Sequence, residues 1–105
     1  MASEKRVTLI IKPFKCEAVM NALRELPCHA VSVTECRGYG RQKGHLELYS
    51  GPEYSIAFVP KVWIEFYASR FDIEAILSKV LPLARTGRIG DGKVFITDIG
   101  ESAEL

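Results

Sequence analysis

Two stretches of helical period, each enclosed by stretches of strand period, constrain this chain more than any other feature of its 105 residues. Residues 6–12, RVTLIIK, are rich in β-branched side chains and read as a buried strand. Past Pro13 the pattern changes. Ala18, Val19, Ala22, Leu23 and Leu26 recur at helical spacing and predict an apolar face on a helix over 16–26, stopped by Pro27. In 30–38, Val31 and Val33 alternate with Ser32 and Thr34, as a half-buried strand does. The strand pattern returns over 55–69, where Val62, Ile64 and Phe66 alternate with Lys61, Trp63, Glu65 and Tyr67. Pro60 cannot donate to a ladder, so it marks an edge or the start of that strand. Ile73, Ile76, Leu77, Val80 and Leu81 give a second helix its core face, with Asp72 as N-cap or first-turn acid. Pro82 and the glycines after it are expected to end that helix, and residues 93–99, KVFITDI, read as the last strand.

The order β-α-β-loop-β-α-β predicts an α+β, ferredoxin-like fold, with an antiparallel four-stranded sheet and both helices on one face. At this length one domain over 1–105 with a modest core is expected. Trp63 and Tyr67 have the parity opposite to Val62, Ile64 and Phe66. The helix-free face therefore keeps apolar residues and invites packing between copies of the chain. The net charge of +1 argues against bulk electrostatic binding to nucleic acid or to an anionic membrane. Cys16, Cys28 and Cys36 are odd in number and match no metal or disulfide spacing, so they read as reduced thiols of a cytoplasmic protein. The initial MASEKR is polar and does not resemble a secretory leader, and no apolar run is long enough to span a bilayer.

The residues 38–54, GYGRQKGHLELYSGPEY, carry neither a helical nor a strand period, and a loop this long in a small domain needs a use. Two glycine-bearing segments stand out: RGYGRQKG at 37–44 and TGRIGDGK at 86–93. Glycines let successive backbone N–H groups converge on phosphate oxygens, and Lys93 adds a point charge that suits a phosphate. Neither segment is a Walker A loop. The plainer alternatives are a hairpin tip for the first and a helix cap turning into a strand for the second. Tyr39, Tyr49 and Tyr54 are candidate partner anchors or modification acceptors, or simply solvated aromatics. No nucleophile has an adjacent base and no carboxylate pair has a forced geometry, so an enzyme is not expected.

IIKPFK near the start, VTE and GYGRQKGH in the middle, EY…VPK after the loop and TGRIGDGKVF near the end have the order and spacing of one family. Over about 7–99 the chain resembles the P-II family of signal-transduction proteins. The resemblance implies a homotrimer of ferredoxin-like subunits with ATP or ADP bound in clefts between neighbours. It also implies a small carbon metabolite beside the nucleotide, and regulation of a transporter or metabolic enzyme through a long T-loop, here about 39–57. The phosphate-binding loop then falls on 86–93, with Thr86, Gly90, Asp91, Gly92 and Lys93 as nucleotide contacts. The T-loop root falls on Gly38, Gly40, Arg41 and Gln42, and Ser32 and Glu65 match strand positions near the adenosine. In members that bind 2-oxoglutarate, the counterpart of Gln42 helps hold a magnesium ion and that of Lys61 pairs with a carboxylate. Tyr54 matches a tyrosine that some bacterial members have uridylylated, and Pro52 restricts the backbone just before it and argues against that modification here. Neither nucleic acid nor membrane is expected to be touched directly; a membrane is reached only through a partner.

The sequence ends in GESAEL, without the paired arginines that the tail of typical members brings to the phosphates. That departure predicts weaker triphosphate binding, a smaller preference for ATP over ADP, and a divergent P-II-like member. The alternative to nitrogen regulation is regulation of inorganic-carbon uptake or metabolism with bicarbonate as effector. A slow ATPase and a passive trimeric scaffold are the other readings.

Overall fold

In a computed structural model describing residues 3–39 and 58–105, the chain forms β1 (Glu4–Ile11), a 3-10 turn (Pro13–Lys15), α1 (Cys16–Leu23), β2 (His29–Gly38), β3 (Val59–Ser69), α2 (Ile73–Ala84) and β4 (Lys93–Ile99). The strands pair antiparallel in one sheet in the order β2-β3-β1-β4. This is the predicted ferredoxin-like βαββαβ arrangement. The two sequence-adjacent strands β2 and β3 pair directly, and each helix returns the chain across the sheet.

Strand parity sorts the residues into two layers. Val7, Leu9 and Ile11 of β1 and Val62, Ile64, Phe66 and Ala68 of β3 pack with Val19 and Leu23 of α1 and Ile73, Ile76 and Val80 of α2 in a single core. Phe66, Leu9, Ile11, Ile64, Ile76, Val7, Val19 and Val80 are fully buried. Each such side chain contributes about 1.5–3 kcal/mol over its exposed state, so this layer supplies most of the drive to fold. Both helices draw their buried residues from that one layer, so both lie on one face of the sheet.

The opposite face is read from the ladder register. Thr34, Trp63, Ile10 and Lys93 form one row across the four strands, and Ser32, Glu65, Thr8 and Phe95 form the next. A third row holds His29, Tyr67, Arg6 and Thr97. Trp63 is 39% exposed and Phe95 47% exposed, so the expected apolar residues on the helix-free face are present, interleaved with polar ones.

Three sequence expectations need correction. The first helix ends at Leu23 rather than at Leu26. Glu25 and Leu26 donate to the carbonyls of Ala22 and Leu23 at 3.1 and 3.2 Å, an i→i−3 pattern. Pro27 disfavours helical backbone at the residue before it, and the last turn tightens in response. The second helix does not stop at Pro82 but runs to Ala84. Pro82 falls in its final turn, where it removes one ladder bond, while buried Val80 and Ala84 hold the turn to the core. Strand β2 is exposed rather than half-buried: it is an edge strand and neither helix covers Val31 or Val33. Pro60 sits at the second position of β3, which has neighbours on both sides, so it marks the start of a strand and not a sheet edge.

Candidate functional site: the junction of the loop root and the phosphate loop

At one end of the sheet β2 finishes, β3 begins, and the segment 86–93 leads into β4. Gly38 closes β2 opposite Val59, and Cys36 lies opposite Lys61. Just beyond Gly38, the rings of Tyr39 and Phe58 stand 5.5 Å apart at 45° across the neck of the long loop.

Lys61 is the centre of this end. Its side chain is 5% exposed, unusual for a lysine. The ammonium donates to the carbonyl of Gly90 at 3.0 Å and to that of Asp91 at 2.8 Å. Its stem runs directly over Gly38. A Cβ built there would stand 3.1 Å from Lys61 Cγ and 3.3 Å from Cε, so glycine at 38 leaves the lane that the lysine occupies. Burial pushes the Lys61 ammonium below the ordinary lysine value, Lys12 adds to this, and Asp91 and Cys36 oppose it.

The phosphate-loop candidate is held from the same side. Gly90 has φ of 94°, which a side chain would strain. The Thr86 hydroxyl donates to Asp91 Oδ2 at 2.6 Å and accepts the Arg88 N–H at 3.2 Å. Lys12 Nζ lies 3.8 Å from Asp91 Oδ1. Lys12, Lys61, Arg88 and Lys93 thus gather around a loop whose own acid, Asp91, is already engaged, and the local charge is positive. Such a surplus beside glycine-rich backbone suits an anion. Behind the loop, on the helix side, a cavity of about 300 Å³ is floored by Leu9, Ile11, Leu81 and Val94. Its rim is the loop itself, with Arg85, Thr86, Arg88 and Lys93, and neither Ser32 nor Glu65 lines it.

Glu65 lies two rows from Lys61, with Thr8 Oγ1 and Tyr67 OH donating to its carboxylate at 3.5 and 3.3 Å. Ser32 is exposed on β2, and Lys93 is exposed on β4 with its ammonium 5.7 Å from the centre of the Phe95 ring. Two strands separate β2 from β4. At the usual spacing of about 4.8 Å between strands, Ser32 and Lys93 stand on the order of 14 Å apart across one sheet. Gly40, Arg41, Gln42, Tyr49 and Tyr54 lie outside the described residues. Among the described residues no group of three or more His, Cys, Asp or Glu side chains converges as a metal site, and no helix is long and apolar enough to cross a membrane.

The sequence profile of nitrogen regulatory protein P-II matches residues 4–104. The chain belongs to the P-II family. It is 46% identical over 97 residues to the nitrogen regulatory protein P-II of Rhizobium meliloti (strain 1021), covering 92% of this chain and 87% of that protein. It is 47% identical over 95 residues to the nitrogen regulatory protein GlnK of Escherichia coli (strain K12), covering 90% and 85%. Among solved structures, Arabidopsis thaliana PII bound to citrate superimposes with a TM-score of 0.71 at 28% identity, over 93% of this chain and 78% of that one. The resemblance read from the motifs is therefore correct, and the P-II fold and its regulatory, signal-transducing character carry over to this chain.

Within that P-II frame, the structure brings Gly38, Lys61, Thr86, Gly90 and Asp91 together and leaves Ser32 and Glu65 apart from them. Lys12 was missed as a site residue. Its only sequence signal was its place in the KPFK motif at the end of the first strand. The inward role of Thr86 was also invisible, because its bond to Asp91 depends on how the loop folds back.

The loop's own electrostatics give a test. The Thr86 hydroxyl, and then Lys12, Arg88 and Lys61, hold the Asp91 carboxyl below the ordinary aspartate value of 3.8, while burial opposes them. A depressed folded-state value contributes stability above the unfolded value and loses it as pH falls through the folded one. Thr86→Val removes the largest of these effects with little change of shape. The stability gap between wild type and Thr86→Val, measured by urea melts, should therefore narrow from about pH 6 to about pH 3. An equal gap at both pH values would show that the Thr86–Asp91 bond is insensitive to the charge on Asp91.

Proposed function

We propose that this P-II protein is a non-catalytic homotrimeric sensor that binds ATP or ADP between neighbouring copies and reports the bound state through residues 39–57. The observation that carries the reading is the separation of Ser32 on β2 from Lys93 on β4, the two edge strands of the sheet. They stand on the order of 14 Å apart across the sheet, with the side chains of β3 and β1 between them. A cleft between the β2 edge of one copy and the β4 edge of the next brings the two halves together. The exposed Trp63 and Phe95 on the shared face favour such packing.

In this reading the 86–93 backbone and Lys93 take the phosphates, Ser32 and Glu65 of a neighbouring copy take the adenosine, and Gly38 to Gln42 pass the phosphate state to the loop. A nucleotide shifts the loop only by its differential affinity for the loop's states. Magnesium and a metabolite such as 2-oxoglutarate or bicarbonate are proposed at Gln42 and Lys61, and the citrate in the Arabidopsis thaliana PII structure supports a carboxylate ligand in the family. Lys61 has two of its three donors on loop carbonyls, so it offers a metabolite at most one bond without rearrangement. The proposed output is control of a transporter or metabolic enzyme in the cytoplasm, in the service of nitrogen regulation.

Thermal melts with ATP and with ADP test the proposal. At 100 times Kd a bound nucleotide stabilises by about 2.7 kcal/mol. Lys93→Ala should weaken both nucleotides by about tenfold to a hundredfold, the worth of a charge-assisted bond. No shift with either nucleotide at millimolar concentration would leave a passive scaffold. Phosphate release above background that Lys93→Ala abolishes would make the protein a slow ATPase instead.

A further inference from the structure

We propose that Lys61 is a positioning residue that fixes the direction of the peptide planes in the phosphate loop. The inference rests on the reading of 86–93 as a phosphate loop and adds to it a part that no family motif assigns. Both carbonyls that meet the Lys61 ammonium belong to consecutive residues, Gly90 at 3.0 Å and Asp91 at 2.8 Å. The described peptide bonds are trans. In a trans peptide the carbonyl and the next N–H point in opposite directions. With the Gly90 and Asp91 carbonyls drawn to Lys61, the N–H groups of Asp91 and Gly92 must face away from it. The Asp91 N–H does so, donating to the Arg88 carbonyl at 3.3 Å. Both carbonyls thus face the ammonium, the Asp91 N–H closes the loop on Arg88, and the Gly92 N–H is turned away from Lys61, toward the side where an anion needs a donor.

Without the ammonium, the Gly90 and Asp91 carbonyls lose the donor they share, and the planes could turn to present oxygens outward, which would repel a phosphate. The side chain of Asp91 is anchored from the same side by Thr86 and Lys12, so the clamp has three fingers: Lys61 on the backbone, Thr86 and Lys12 on the carboxylate. Lys61 also connects this loop to the root of the long loop, because its stem crosses Gly38, the last residue of β2. A shift at Gly38 or in the 90–91 backbone would therefore reach the other through one side chain.

Two variants of the full chain separate this role from direct ligand contact. Lys61→Met keeps an apolar stem over Gly38 and deletes the ammonium. Gly38→Ala keeps the ammonium and crowds the stem. In ligand-free protein, Lys61→Met should speed amide hydrogen exchange over 88–93 by about tenfold or more, with exchange in α2 unchanged. Gly38→Ala should do the same to a smaller degree, and the double variant should be no faster than Lys61→Met alone, since both act on one clamp. ATP and ADP affinities should fall in Lys61→Met by one common factor. Unchanged exchange over 88–93 in Lys61→Met overturns the proposal, and so does additivity of the two variants. Wild-type protein that binds neither nucleotide overturns the phosphate reading alone, because the exchange measurements judge the clamp without any ligand.

Discussion

Phe66→Ala should cost about 3–5 kcal/mol of folding free energy, a third or more of what a domain of this size commonly has. Phe66 is fully buried at the middle of β3, opposite Val7 of β1, and it is the largest of the fully buried side chains. Truncation removes the transfer energy of the ring and leaves a void under β3 that β1, paired with it at Val7, cannot move in to close. Denaturant melts at one fixed protein concentration would measure the loss, with Leu83→Ala on the exposed side of α2 as the control. Leu83 is 37% exposed, and its truncation should cost about 1 kcal/mol or less. A Phe66 variant within about 1 kcal/mol of wild type would mean that the core layer described above does not carry the fold.

Trp63→Asp should separate the copies of the chain while leaving each folded. Trp63 points to the helix-free face, 39% exposed in the single chain, in one row with Thr34, Ile10 and Lys93. A carboxylate at that position would have to be desolvated against apolar neighbours when copies pack, at a cost of several kcal/mol per copy. Sedimentation should show wild type at a multiple of the 11.7 kDa chain and the variant at the single-chain mass, with an unaltered circular dichroism spectrum. Nucleotide binding should fall with the assembly, since the proposed cleft takes residues from two copies. A variant that remains assembled would place the contact elsewhere and remove the helix-free face from the interface. A variant that becomes monomeric yet binds ATP as tightly as wild type would show that one chain holds the whole site.

Most of the fold was legible because its elements are set by local pattern. Val62, Ile64 and Phe66 against Trp63 and Glu65 declare a strand and its two faces. The apolar stripe from Ile73 to Leu81 declares a helix in the same way. The errors fell where a local signal competed with the rest of the molecule. Pro82 is a stop signal by itself, yet burial of Ala84 and Val80 carries the helix two residues past it. Val31 and Val33 alternate like residues of a half-buried strand, yet β2 lies at the sheet edge beyond the reach of either helix.

The candidate site divides along the same line. Order of elements, hydrophobic layers and the glycine-rich segments are written in one dimension, since each depends on residues a few positions apart, and the P-II motifs named the family because they too are short and local. The meeting of Lys61 with Gly90, thirty positions away, is not written there. Neither is the crossing of its stem over Gly38, nor the placement of Ser32 and Lys93 on opposite edges. These follow from register and strand order, which are settled only when the whole sheet forms. By pattern Lys61 was one alternating strand position, and the P-II resemblance made it the counterpart of a lysine that pairs with a carboxylate. Tertiary structure made it a buried donor to two carbonyls, because folding brings the loop before β4 over the start of β3 and leaves its backbone oxygens within reach of one ammonium.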